Sequence, residues 1–114
     1  MSDNLVSTEW LEAHMGSPDI AIIDASWHLP AAKRDAKAEF LQARIPGAQF
    51  FDIDEISDTA SSLPHMLPSP EKFSSRMRKL GIGDGKKVIA YDAAGLFSAA
   101  RAWWMFQVFG HGDA

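Results

Sequence analysis

Apolar and polar positions fall in blocks whose period switches along the chain. Ile20-Ala21-Ile22-Ile23 and Val88-Ile89-Ala90-Tyr91 are unbroken apolar runs, the pattern of strands covered on both faces. Phe73, Met77 and Leu80 recur at helical spacing and predict one apolar stripe. That helix has Ser69 as its cap, Pro70 at its first position, Glu71 beside it and Gly81 as its stop. Ser7 predicts a cap for a short helix from Thr8 to His14. Glu9 and Glu12 suit its positive end, and Gly16-Ser17-Pro18 closes it.

The segments between are less regular. Asp24 to Pro30 reads as a loop holding Trp27 and His28. Ala31 to Ala43 is helical over part of its length, and Pro46 pushes Ile45 out of helical geometry. Gln49-Phe50-Phe51 is a short strand, and Asp52 to Pro68 is polar and irregular. Gly83-Asp84-Gly85-Lys86 is a turn, Asp92 to Gly95 a tight loop, and a last helix runs from Phe97 to Phe109 with Gly110 as its stop. Helix and strand therefore alternate from end to end. That order predicts an α/β domain, a parallel sheet with helices on both faces.

Two features suggest that this sheet continues beyond residue 114. Three strands are narrow for a parallel sheet, and a helix after a parallel strand normally leads to another strand. In addition, Trp103-Trp104-Met105-Phe106 places four large apolar side chains in a row on a helix. Neighbours point about 100° apart, so they cannot share one face. Either the helix is buried on all sides within the domain, or something outside this chain covers part of it.

The chain has 114 residues, enough for a single domain, with a net charge of −4 and no basic block, which argues against nucleic acid as a partner. It contains no cysteine, so a disulfide framework, a thiolate metal site and a cysteine nucleophile are excluded within it. No apolar stretch approaches the roughly 20 residues that span a bilayer. The first residues do not resemble a secretory signal, so a cytoplasmic location and no membrane partner are expected. No cofactor is expected.

Three places could carry chemistry. The loop from Asp92 joins a strand to a helix, where backbone N–H groups suit an anion or a thiolate. Its first residue is a carboxylate, which can fill that anion site itself. Asp92-Ala93-Ala94-Gly95-Leu96 has one glycine and no lysine, so it is no phosphate loop. The acidic run Asp52 to Asp58 is either a solvated loop or a phosphatase-type Asp-x-Asp with Asp52 as acceptor. Ile56 and Ser57 stand where a calcium loop needs a ligand and a glycine. The third candidate is His65, either a surface histidine in a proline-rich loop or one that a carboxylate such as Asp54 could orient as in a hydrolase relay. His14, His28 and His111 have no ligand-like spacing, so no metal site is expected.

A series of motifs then shows a likeness. These are Asp24-Ala25-Ser26-Trp27, Arg34-Asp35-Ala36, Glu39-Phe40, the stretch Ile45 to Asp54, His65-Met66-Leu67-Pro68, Tyr91-Asp92, Phe97-Ser98-Ala99, Arg101 to Phe106 and Phe109-Gly110-His111. In this order they resemble the amino-terminal half of the rhodanese family, in particular its 3-mercaptopyruvate and thiosulfate sulfurtransferases. The resemblance runs from Val6 to His111.

It implies a tandem repeat of one α/β domain, in which the carboxyl-terminal repeat holds a cysteine. That cysteine takes sulfur as a persulfide and passes it to a thiol or cyanide. Asp92 stands at the cysteine's position, as expected of the inert repeat, so this chain has no nucleophile of its own. The resemblance further implies that Asp54 and His65 reach across the domain interface as accessory groups. Arg44 replaces the histidine that usually precedes Ile-Pro-Gly in the family. The resemblance also places a further strand and the whole catalytic repeat beyond Ala114. The expected partners are that repeat and a small-molecule sulfur donor. The alternatives are a stand-alone rhodanese-like module that binds protein, and an Asp52-dependent phosphatase.

Overall fold

In a computed structural model, residues 5–28, 33–61, 66–83, 85–93, 98–111 and 114 are described. The elements are α1 (Thr8–His14), β1 (Ile20–Asp24), α2 (Ala36–Gln42), β2 (Gln49–Phe50), α3 (Pro70–Lys79), β3 (Lys87–Tyr91) and α4 (Ser98–Val108). The three strands form one parallel sheet in the order β2-β1-β3. Ile23 and Asp24 pair with Gln49 and Phe50, while Ile20 to Asp24 run beside Lys87 to Tyr91.

The continuous apolar runs are explained by the two faces of this sheet. Successive side chains point to opposite sides. Ile23 and Val88 join Phe51, Phe73, Met77, Met105 and Phe106 on the α3/α4 side. Ile22 and Ile89 join Leu11, Phe40 and Ala48 on the α1/α2 side. The α/β architecture expected from the alternation of elements is the one observed. Burying a Phe or Ile side chain contributes about 1.5–3 kcal/mol, so fully buried Phe51, Phe106 and Ile23 are the main anchors.

The helix boundaries follow local chemistry. Ser7 Oγ accepts from the Trp10 N–H at 3.0 Å, and Ser69 Oγ from the Lys72 N–H at 3.1 Å, as the sequence predicts. The second helix begins later than Ala31, because Asp35 caps it with Oδ1 3.1 Å from the Ala38 N–H. At the end of α3, Ile82 N–H bonds the Met77 carbonyl at 2.9 Å and Gly81 N–H that of Arg78 at 3.1 Å. This reversal needs a left-handed residue, and Gly81 supplies it with φ 76°. Gly110 repeats the device at the end of α4.

Two expectations are corrected at the margins. Asp24 is the last residue of β1 rather than loop, and β2 stops at Phe50. Helix α4 is not buried on all sides: Ala102, Met105 and Phe106 are buried, but Trp104 is 44% and Val108 46% exposed. Trp104 and Val108 are one turn apart and form an open stripe.

Candidate functional site

A parallel sheet brings the carboxyl ends of all its strands to one edge, where open α/β sheets bind ligands. Here that edge gathers Asp24 at the end of β1 with Ala25 to His28 after it, Phe51 to Asp54 after β2, and Asp92-Ala93 after β3.

The loop after β3 is organised around a carboxylate. Asp92 Oδ2 accepts the Ala99 N–H at 2.6 Å, in the first turn of α4. The side chain thus occupies a backbone donor that would otherwise serve an outside anion. Ser26 Oγ, from the neighbouring strand end, accepts the Ala93 N–H at 2.8 Å. Beneath it, buried Asp24 accepts the Ser26 N–H at 2.9 Å. The Tyr91 hydroxyl accepts the Ile45 N–H at 3.2 Å. Burial, with the Asp24 carboxylate alongside as acceptor, raises the Tyr91 phenol above its usual range, and the Ile45 bond opposes this.

The loop after β2 has the opposite character. Asp52 Oδ1 accepts the N–H groups of Asp54 and Glu55 at 3.1 and 3.3 Å, so it caps its own turn. Ser57 Oγ donates to the Asp54 carbonyl at 2.8 Å. Ile53 and Ile56, both buried, root the turn in the core. The Asp54 carboxylate projects outward, and the Trp27 indole N–H donates to its Oδ1 at 3.0 Å. Glu55 is held by Arg76 of α3 at 2.7 Å. His65 lies outside the described residues, and with it the expected contact between Asp54 and His65.

A third cluster was not singled out from the sequence. Arg34 binds Glu39 with two bonds of 2.9 Å, and Glu39 Oε1 lies 3.2 Å from His28 Nε2. The Arg34 guanidinium, and after it His28, hold the Glu39 carboxyl below its usual range; Glu39 in turn raises Arg34. The His28 side chain is only 4% exposed, so this ionic group ties the β1 loop to α2. The signal was present in the Arg34-Asp35-Ala36 and Glu39 spacing, but the β1 loop supplies the third member. Among the described residues, no three His, Asp or Glu side chains gather as a metal site.

The far edge of β3 carries an apolar groove of about 410 Å3, lined by Leu11, Val88, Ala90, Ala99 and Trp103 among others. Lys87 N–H and Tyr91 C=O bond toward β1 at 2.8 Å each. Residues 88 and 90 therefore turn their backbone polar groups to the groove. Among the described residues no strand pairs there.

With this geometry in place, comparison with known proteins defines the class. A model of the rhodanese-like domain matches residues 7–114, and the chain belongs to the rhodanese family. It is 51% identical over 110 residues to the thiosulfate/3-mercaptopyruvate sulfurtransferase 1, mitochondrial, of Arabidopsis thaliana, covering 96% of this chain and 29% of that protein. It is 50% identical over 106 residues to the 3-mercaptopyruvate sulfurtransferase of Escherichia coli K12, covering 92% and 38%. The human 3-mercaptopyruvate sulfurtransferase is 47% identical over 113 residues, with 94% and 38% covered. The crystal structure of SseA from Escherichia coli, a 3-mercaptopyruvate sulfotransferase, superposes with a TM-score of 0.91 at 47% identity, covering 98% of this chain and 43% of that one. The chain thus spans between 29% and 38% of the length of the three sulfurtransferase sequences and 43% of the crystallised chain. No helix among the described residues is long and apolar enough to cross a membrane.

Proposed function

We propose that the 114 residues form one domain, the cysteine-less amino-terminal repeat of a two-domain sulfurtransferase. The full protein moves sulfane sulfur from 3-mercaptopyruvate, or from thiosulfate, to a thiol or cyanide. A cysteine of the carboxyl-terminal repeat carries the sulfur as a persulfide. The observation that carries this reading is the bond from the Ala99 N–H to Asp92. A persulfide-forming site needs its loop donors free to stabilise a thiolate. Here a carboxylate at the family's cysteine position takes one of them, which leaves the domain a supporting role.

That role is exercised at the same sheet edge. Asp54, exposed and held from three sides, is suited to orient an imidazole, and His65 is the group assigned to it. An imidazole oriented in this way can manage protons on the donor thiol and the departing enolate oxygen. The groove beside β3 and the open stripe of Trp104 and Val108 are the surfaces that the rest of the longer polypeptide covers.

The test is direct. The pure 114-residue chain, given 3-mercaptopyruvate or thiosulfate with cyanide, forms no thiocyanate above the uncatalysed rate. Thiocyanate production that follows the chain's concentration overturns the reading. The exposed Trp104 stripe favours one second reading, a rhodanese-like module that binds a protein and does no chemistry. A lasting stoichiometric complex of the 114-residue chain in size-exclusion chromatography, without the other repeat, would select it.

A further inference from the structure

The geometry points to Trp27 as a positioning residue for Asp54. This inference rests on the proposed accessory role of Asp54 and names the group that makes its carboxylate usable. Trp27 lies three residues beyond β1, and its half-buried ring packs against the core on the α3/α4 side. Its indole N–H donates to Asp54 Oδ1 at 3.0 Å, across 27 residues of sequence.

An exposed aspartate on a polar loop ordinarily samples several rotamers and is oriented by water alone. Asp54 is different at three of its polar positions. Its N–H is taken by Asp52, its carbonyl accepts from Ser57, and one carboxylate oxygen is fixed by a ring anchored in the core. The Trp27 donor has one fixed direction and a rigid base, so it constrains the plane in which the carboxylate lies. A group preset in this way loses little freedom when it orients a catalytic partner. A Trp placed only to fill the core would be content with any acceptor, since buried indoles need one partner. The two roles therefore make different predictions.

The experiment uses the full-length protein that carries this domain. Trp27 is replaced by benzothienylalanine, which keeps the bicyclic ring and puts sulfur where the N–H stands. Trp27→Phe is the encoded companion. The expected result is a fall in kcat of about tenfold with KM for the sulfur donor unchanged and the melting temperature held. In an Asp54→Asn background the same replacement has no further effect on kcat, because the two residues act as one unit. If Asp54→Asn lowers kcat but the benzothienylalanine variant keeps the wild-type value, the inference about Trp27 fails and the role of Asp54 stands. If Asp54→Asn itself leaves kcat intact, the accessory reading fails and takes this inference with it. Equal, additive losses from both changes also overturn it.

Discussion

Two aspartates stand at the same edge of the same sheet, and the fold uses them in opposite ways. Asp92, after β3, bends back to the helix that follows and accepts the Ala99 N–H in the first turn of α4. Asp54, after β2, is pinned by its neighbours so that its carboxylate faces outward. The side chains are chemically identical. Their settings differ because the first turn of α4 offers Asp92 a backbone donor, the Ala99 N–H, whereas the N–H groups of the turn at Asp54 are bonded by Asp52. One carboxylate caps the start of a helix; the other sits exposed and is bonded by an indole N–H from the next strand end.

This contrast can be broken experimentally, most sharply at Asp54. In the full-length protein, Asp54→Asn lowers kcat by about a hundredfold with little change in stability, as expected for loss of an acid–base orienting group. Steady-state kinetics alongside thermal melts check both halves. The next largest effect lies under the Asp92 loop. Tyr91→Phe removes the acceptor of the Ile45 N–H and the partner of buried Asp24, and costs about 1–2 kcal/mol in urea unfolding. Because its phenol is raised, the stability it lends is complete below the ordinary tyrosine range and is lost as pH climbs through the raised value. Tyr91 is the sole tyrosine, so phenolate absorbance reads this directly.

Asp92→Ala costs about 1 kcal/mol of stability by uncapping α4, while Asp92→Asn, which keeps an acceptor, costs less. Urea midpoints separate the two, and a large activity loss in a well-folded Asp92→Asn protein would erase the distinction between the aspartates. The smallest effect belongs to Glu39. Its lowered carboxyl lends stability above the usual glutamate range that is lost as pH falls through the lowered value. Glu39→Gln should therefore flatten the acid side of the stability profile, as read by melting temperature against pH.

Much of the architecture was legible before any coordinates. Ile20 to Ile23 and Val88 to Tyr91 announce strands with two covered faces, and each sends neighbouring residues to opposite cores. Ser7, Ser69 and Gly81 mark helix ends because capping is local chemistry between residues two to five apart. The start of α2 was less clear, since Ala, Lys and Glu before Asp35 are good helix formers and propensity alone does not choose among them. The motifs that resemble the rhodanese family were also readable as strings, and the family match confirms them.

The determinants of function divide along the same line. The linear order of residues established the α/β class and the absence of cysteine from these 114 residues, because these depend on identity and on contacts a few positions apart. It could not say that Trp27 meets Asp54, that Arg34 and His28 share Glu39, or that Trp104 stays open to solvent. Those pairings cross from one strand end to another, and only the packing of the parallel sheet sets their distance and direction.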